Sequence, residues 1–249
     1  MRFIHVICFL LITFQTCNGN IFNKKNRLKG INQLVVVLTE NWESSRGKLI
    51  CYEKNINNEW QPFFSNHFEV LLGKNGLAWG IGIHKKKSQN LKKEGDGRSP
   101  AGIFKIGKIY GESDSLLEGS NYPYHKITEK DAWVDDPKNP FYNKHVMSNF
   151  FETKPEWFES QRMRLGDSAY RWLIAINHNT NPPKPGYGSA IFFHVRRGPE
   201  RRTTGCTVMS LKNLEYLIKF LNEKLNPHYV LLPKKEYSKI RSFYNLPKL

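Results

Sequence analysis

Apolar positions along the chain fall mostly into short runs of strand length, separated by polar turns. "QLVVVLT" (33–39) is a continuous β-branched run and reads as a strand. "GKLICYEKN" (47–55) alternates, with Cys51 inward, and "EWQPFF" (59–64) and "FEVLLG" (68–73) continue the pattern between Asn- and Ser-rich turns. A basic loop punctuated by Gly and Pro, "KKKSQNLKKEGDGRSPA" (85–101), leads into a short strand, "GIFKIG". Residues 111–165 are aromatic and Asp/Pro-rich without a clean period, which predicts an irregular insertion with one short helix. "RWLIAINHN" (171–179) and "SAIFFHV" (189–195) are again strands, joined by the turn "TNPPKPGYG". One stretch has helical spacing: "SLKNLEYLIKFLNEKL" (210–225), with Ser210 as N-cap and Leu211, Leu214, Leu217, Ile218 and Leu221 on one stripe. "HYVLL" (228–232) reads as a last strand. The expected product is one mainly β domain, an antiparallel sheet or barrel with a packed helix.

The N-terminus departs from this pattern. Arg2 followed by "VICFLLITF" (6–14) has the form of an export signal, too short to span a bilayer as a helix, with cleavage placed near Gly19. A lipid-modified Cys17 is the alternative. The expected divisions are a signal at 1–19, a polar leader at 20–32 and one domain over 33–249, exported to the periplasm or cell envelope. The net charge is +16, and removing 1–19 takes away Arg2 and no acid. So basic a chain calls for an anionic partner or surface, or simply stays soluble by charge. For an exported protein, anionic envelope polymers fit better than nucleic acid.

Of the four cysteines, Cys8 and Cys17 fall in the signal, leaving Cys51 and Cys206. These two could form one disulfide or remain a core thiol and a reactive thiol. Cys51, inside an alternating strand, reads as core. Cys206 follows a loop carrying Arg196, Arg197, Arg201 and Arg202 and precedes the helix starting near Ser210, surroundings that favour a thiolate. Gly205 lets the backbone turn tightly there. His194 ends the strand "AIFF", where it is fixed and could serve as general base.

"GDGRSPAGIF", then "GSAIFFHV", then "TTGC" resembles the L,D-transpeptidase catalytic domain (YkuD-type) over roughly residues 33–232. The resemblance implies a mixed β-sheet sandwich or barrel with a packed C-terminal helix. It implies Cys206 as nucleophile and His194 as base. Gly205 and the Cys206 N–H are implied at the oxyanion site, flanked by Thr203 and Thr204, with His194 oriented by the Val195 carbonyl. Arg197 and Arg202 are implied as substrate contacts, and His178, where some members carry Tyr at the mouth of the site, as either a substrate contact or a structural histidine. No cofactor and no metal are implied. Thr204 replaces a second His of many members, Val208 replaces an Arg, and eight residues separate His194 from Thr203, as in a short-loop subgroup with Thr-x-Gly-Cys. The implied reaction is acyl transfer on peptidoglycan stem peptides through a Cys thioester, releasing D-alanine. Hydrolysis of stems or cross-links by the same pair, as an L,D-carboxypeptidase or endopeptidase, remains open. So does a non-catalytic envelope-binding protein. "SRGK" (45–48) has Ser-x-x-Lys spacing but no Lys-Thr-Gly follows, and His-Glu-x-x-His is absent. Asp135 and Asp136, in "AWVDDPKNPFYNKHV" (132–146), are candidates for a substrate amine or plain solvated carboxylates.

Overall fold

The computed structural model describes residues 28–249. The expected signal at 1–19 and most of the leader lie outside the described residues. In chain order the strands are β1 (Gln33–Thr39), β2 (Arg46–Lys54), β3 (Trp60–Pro62), β4 (Phe68–Leu71), β5 (Leu77–Trp79) and β6 (Ser99–Gly111). Within the insertion come β7 (Tyr124–Lys126), β8 (Asp131–Trp133), β9 (His145–Met147) and the short helix α1 (Phe158–Gln161). Then follow β10 (Trp172–Ile176), β11 (Phe192–Val195), β12 (Thr207–Met209), α2 (Leu211–Phe220), β13 (His228–Pro233) and α3 (Lys234–Tyr244).

The strands pair in the order β1-β13-β6-β10-β11-β12-β4-β2, and β1 also pairs β2, so eight strands close into a mixed barrel. Closure explains the unbroken apolar runs at β1 and β13. Each lies between two neighbours, and every residue of both strands is buried. Sheet edges are what a barrel removes, and these two strands have none. Phe104, Tyr229 and Phe193, all fully buried, fill the interior, with Tyr229 tilted against Phe104 and edge-on to Phe193. Cys51 is buried in the same core, and burial pushes its thiol up. Cys51 and Cys206 are both free thiols, so the disulfide alternative does not hold.

α2 begins as expected. Ser210 is its N-cap, with Oγ accepting from the Asn213 N–H at 3.2 Å, and Leu214, Leu217 and Ile218 are buried. It is shorter than its apolar stripe, since Leu221 is already extended and begins the exit. α3, which no stripe announced, packs on β13 and β1 and buries Tyr237 and Tyr244.

The insertion is more ordered than its sequence suggests. β7 adds to β6, and β8 and β9 form a separate antiparallel pair. That pair has its own small core of Ala132, Val134, Val146 and Phe158. A second cluster, including Tyr110, Ile127, Met163 and Phe192, joins the insertion to the barrel. It brings the insertion against β10 and β11, where His194 stands.

Candidate active site

β11 pairs antiparallel with β10 and parallel with β12, with His194 opposite Val208. Alternation along β11 sends Phe193 into the barrel core and puts Phe192 with Leu173 in the cluster facing the insertion. His194 and Cys206 share that outer face, and both line one cavity of about 290 Å³. Thr203, Thr204, Arg197 and Arg202 line it as well.

Nδ1 of His194 lies 2.9 Å from the Val195 carbonyl oxygen. A carbonyl only accepts, so Nδ1 carries the hydrogen and Nε2 keeps its lone pair. Burial pulls the imidazole pKa down to about 4, with Arg197 adding to the effect and the Val195 contact opposing it. The ring is therefore neutral at pH 7.

Cys206 Sγ donates to the Ala190 carbonyl oxygen at 3.5 Å. Burial pushes the thiol up to about 11, although a backbone contact from Phe192 and the charges of Lys92 and Arg197 act in the other direction. Of the loop cations expected to favour a thiolate, Arg197 does act on the sulfur, but loss of water outweighs it. The carbonyl of Cys206 accepts from Thr203 Oγ1 at 2.6 Å and Ser99 Oγ at 3.4 Å. Ser99, fully buried, is the first residue of "SPAG", which explains what that motif contributes here. Thr203 Oγ1 also accepts the Gly205 N–H at 3.1 Å, so this N–H is already engaged. A Cβ at Gly205 would come within 2.9 Å of Ile191 Cδ1, the mobile end of that side chain.

The arginines divide. Arg197 is bound by Asp167 through Nη2 and, at 3.3 Å, Nε. Arg201 and Arg202 are exposed at the cavity rim. His178 is not part of the cavity, so of its two readings the structural one fits. It is 1% exposed, with Nδ1 accepting the Ile81 N–H at 3.1 Å and Nε2 2.9 Å from the Tyr187 carbonyl. Both ring nitrogens are used and burial pulls its pKa down to about 4, so it holds loops together and offers no atom to a substrate.

Three residues that the sequence did not single out, or left undecided, meet Cys206 from the other side. A smaller cavity of about 110 Å³ is lined by Cys206, Thr204, Lys92, Glu94, Ser189 and Asp135. Lys92 is buried, its ammonium bound by Asp96 in the Gly-Asp-Gly turn and by the Lys93 carbonyl at 2.7 Å. Glu94 accepts from Tyr142 Oη and from Ser189 Oγ at 2.7 Å. Burial, with Glu94 adding to it, holds the Asp135 carboxyl above its ordinary value. Asp136 does not line either cavity.

The family model of the L,D-transpeptidase (YkuD) catalytic domain matches residues 45–230. The chain belongs to this family. Comparison with curated proteins and with solved structures returns no match. The matched span runs from β2 into β13 and contains both cavities, and the closed mixed barrel agrees with the family's fold. As a member of the L,D-transpeptidase family, the chain is of a peptidoglycan-enzyme type. Among the described residues no helix is long and apolar enough to cross a membrane.

Proposed function

We propose that the chain is an exported cell-envelope enzyme that transfers the acyl group of a peptidoglycan stem peptide through a thioester on Cys206. The observation that carries this reading is a cavity shared by Cys206 and a His194 whose Nδ1 is tied to a carbonyl, leaving Nε2 as the base. Sγ attacks the carbonyl carbon of the diamino acid while its proton passes to His194 Nε2. The carbonyl electrons move onto oxygen, and the Cys206 N–H donates to that oxyanion. The bond to D-alanine then breaks, and the imidazolium returns the proton to the leaving amine. An acceptor amine attacks the thioester in the reverse sense and restores the thiol.

Because the resting pair is neutral, proton transfer accompanies attack. Transfer to an amine is favoured over water by the second cavity. Arg201 and Arg202 suit the donor's carboxylate on one side of Cys206. Asp135 and Glu94 suit the acceptor's ammonium on the other. Purified protein incubated with tetrapeptide muropeptides and analysed by mass spectrometry should yield cross-linked dimers and D-alanine. Cys206→Ala should yield neither. Turnover by that variant would overturn the assignment, and tripeptide without dimer would make the enzyme a hydrolase.

A further inference from the structure

The insertion gathers three side chains that the proposed reaction does not use. His125 on β7, Asp131 on β8 and His145 on β9 each bring one ligand atom, and these atoms lie within 4.8 Å of one another. Nε2 of His125 and Nε2 of His145 approach the same Oδ1 of Asp131, at 2.6 and 2.7 Å. The other carboxylate oxygen accepts from the N–H and Oγ1 of Thr128, both at 2.8 Å. Asp131 is 0% exposed, and its ion-pair partners among the described residues are these two imidazoles, with no lysine or arginine. A carboxylate enclosed in this way gains from a compensating cation.

We propose that His125, Asp131 and His145 bind a divalent transition-metal ion, with zinc as the expected occupant. Two imidazole nitrogens and one carboxylate oxygen are a donor set that zinc takes, with a fourth position left for water. Magnesium and calcium prefer shells of oxygen. Thr128 fixes the carboxylate from behind, as outer hydrogen bonds fix metal ligands generally. On binding, each ring changes tautomer: the Nε2 hydrogen that pointed at Oδ1 is lost to water as Nδ1 takes one up, and Nε2 offers its freed lone pair to the ion. Zinc bonds of about 2.0–2.1 Å place neighbouring donors roughly 3.3 Å apart, so each ring nitrogen must move off Oδ1 by about 0.6–0.7 Å. Both can do so, because the side chains of His125 and His145 are 23% and 19% exposed.

The three ligands come from three strands. β7 is hydrogen-bonded to the barrel through β6, whereas β8 and β9 pair with each other over three residues and β8 has one further bridge, Ala132 to Arg162 within the insertion. A strand pair that short has little stability alone. The ion would fasten it to the barrel beside Tyr110, which packs edge-on against both imidazoles. It would also brace Trp133, which packs on Phe192, a wall of the Cys206 cavity.

The test uses the untagged full chain carrying Cys206→Ser, which removes the partly exposed thiol as a competing ligand. After chelator treatment it is titrated with Zn2+ by calorimetry and with Co2+ by visible absorption. One equivalent of Zn2+ should bind, Co2+ should give the intense bands of a low-coordinate complex, and Mg2+ should not compete. His125→Ala, His145→Ala and Asp131→Asn should each weaken Zn2+ binding by at least tenfold, about the scale of losing even an outer partner of a ligand. Zn2+ should raise the thermal midpoint of the parent and leave that of the folded variants unmoved. No uptake by the folded parent, or unchanged affinity in the folded variants, overturns the site.

Discussion

At Cys206 and His194 the cost of burying charge sets the chemistry. The thiol is pushed up to about 11 and the imidazole down to about 4, so neither is ionised at pH 7. Alkylation of the thiol by iodoacetamide should therefore climb about tenfold per pH unit from neutral pH toward 11. A plateau near neutral pH would mean a standing ion pair and would contradict this. Thr203 offers a second test, because its hydroxyl both holds the Cys206 carbonyl and takes the Gly205 N–H. Thr203→Val should lower kcat by about tenfold to a hundredfold with KM little changed, as small misplacements of reacting groups do. Steady-state kinetics on muropeptides checks it, and a change confined to KM would refute a positioning role. Cys206 and His194 were legible because a strand end and a Gly-Cys turn are local features. Lys92 and Glu94 were not, and Asp135 was left undecided, since one loop and the insertion are brought to the same sulfur only by the barrel.

Elements differ in how much of their stability their own residues supply. α2 has a side-chain cap and an apolar stripe, so the sequence announced it. Ser210→Ala should cost about 1 kcal/mol in chemical denaturation, the usual value of a lost cap; no change would mean that packing alone holds the helix start. α3 has no side-chain cap and buries chiefly Tyr237 and Tyr244, a pattern too sparse to announce a helix. The insertion shows the same limit. Strands of three residues carry almost no period, and β7, β8 and β9 exist because Tyr110, Trp133 and Phe192 pack between them and the barrel.

Among the described residues, the histidines most strongly desolvated by packing tie folding to acidity. His84, His178 and His194 are each pulled from 6.5 to about 4, chiefly by burial. Below 6.5 the unfolded chain binds protons that the native chain refuses, so stability is full above 6.5 and drains as pH falls toward 4. The thermal midpoint should fall across that window. His178→Asn, an amide that can keep one of the loop contacts, should flatten part of the fall. A midpoint independent of pH there would place these rings in water.

The chain by itself determined the β-rich class, the capped helix and the core position of Cys51, and its motifs pointed to Cys206 and His194. The helix and the place of Cys51 depend on spacing within one element, where backbone period alone decides which side chains share a face. Barrel closure, the tight packing of His178, the acidic cavity beside Cys206 and the His-Asp-His cluster were decided only by tertiary structure. They join residues far apart along the chain, and the free energies that govern them, desolvation and cross-strand packing, depend on neighbours that sequence order does not name.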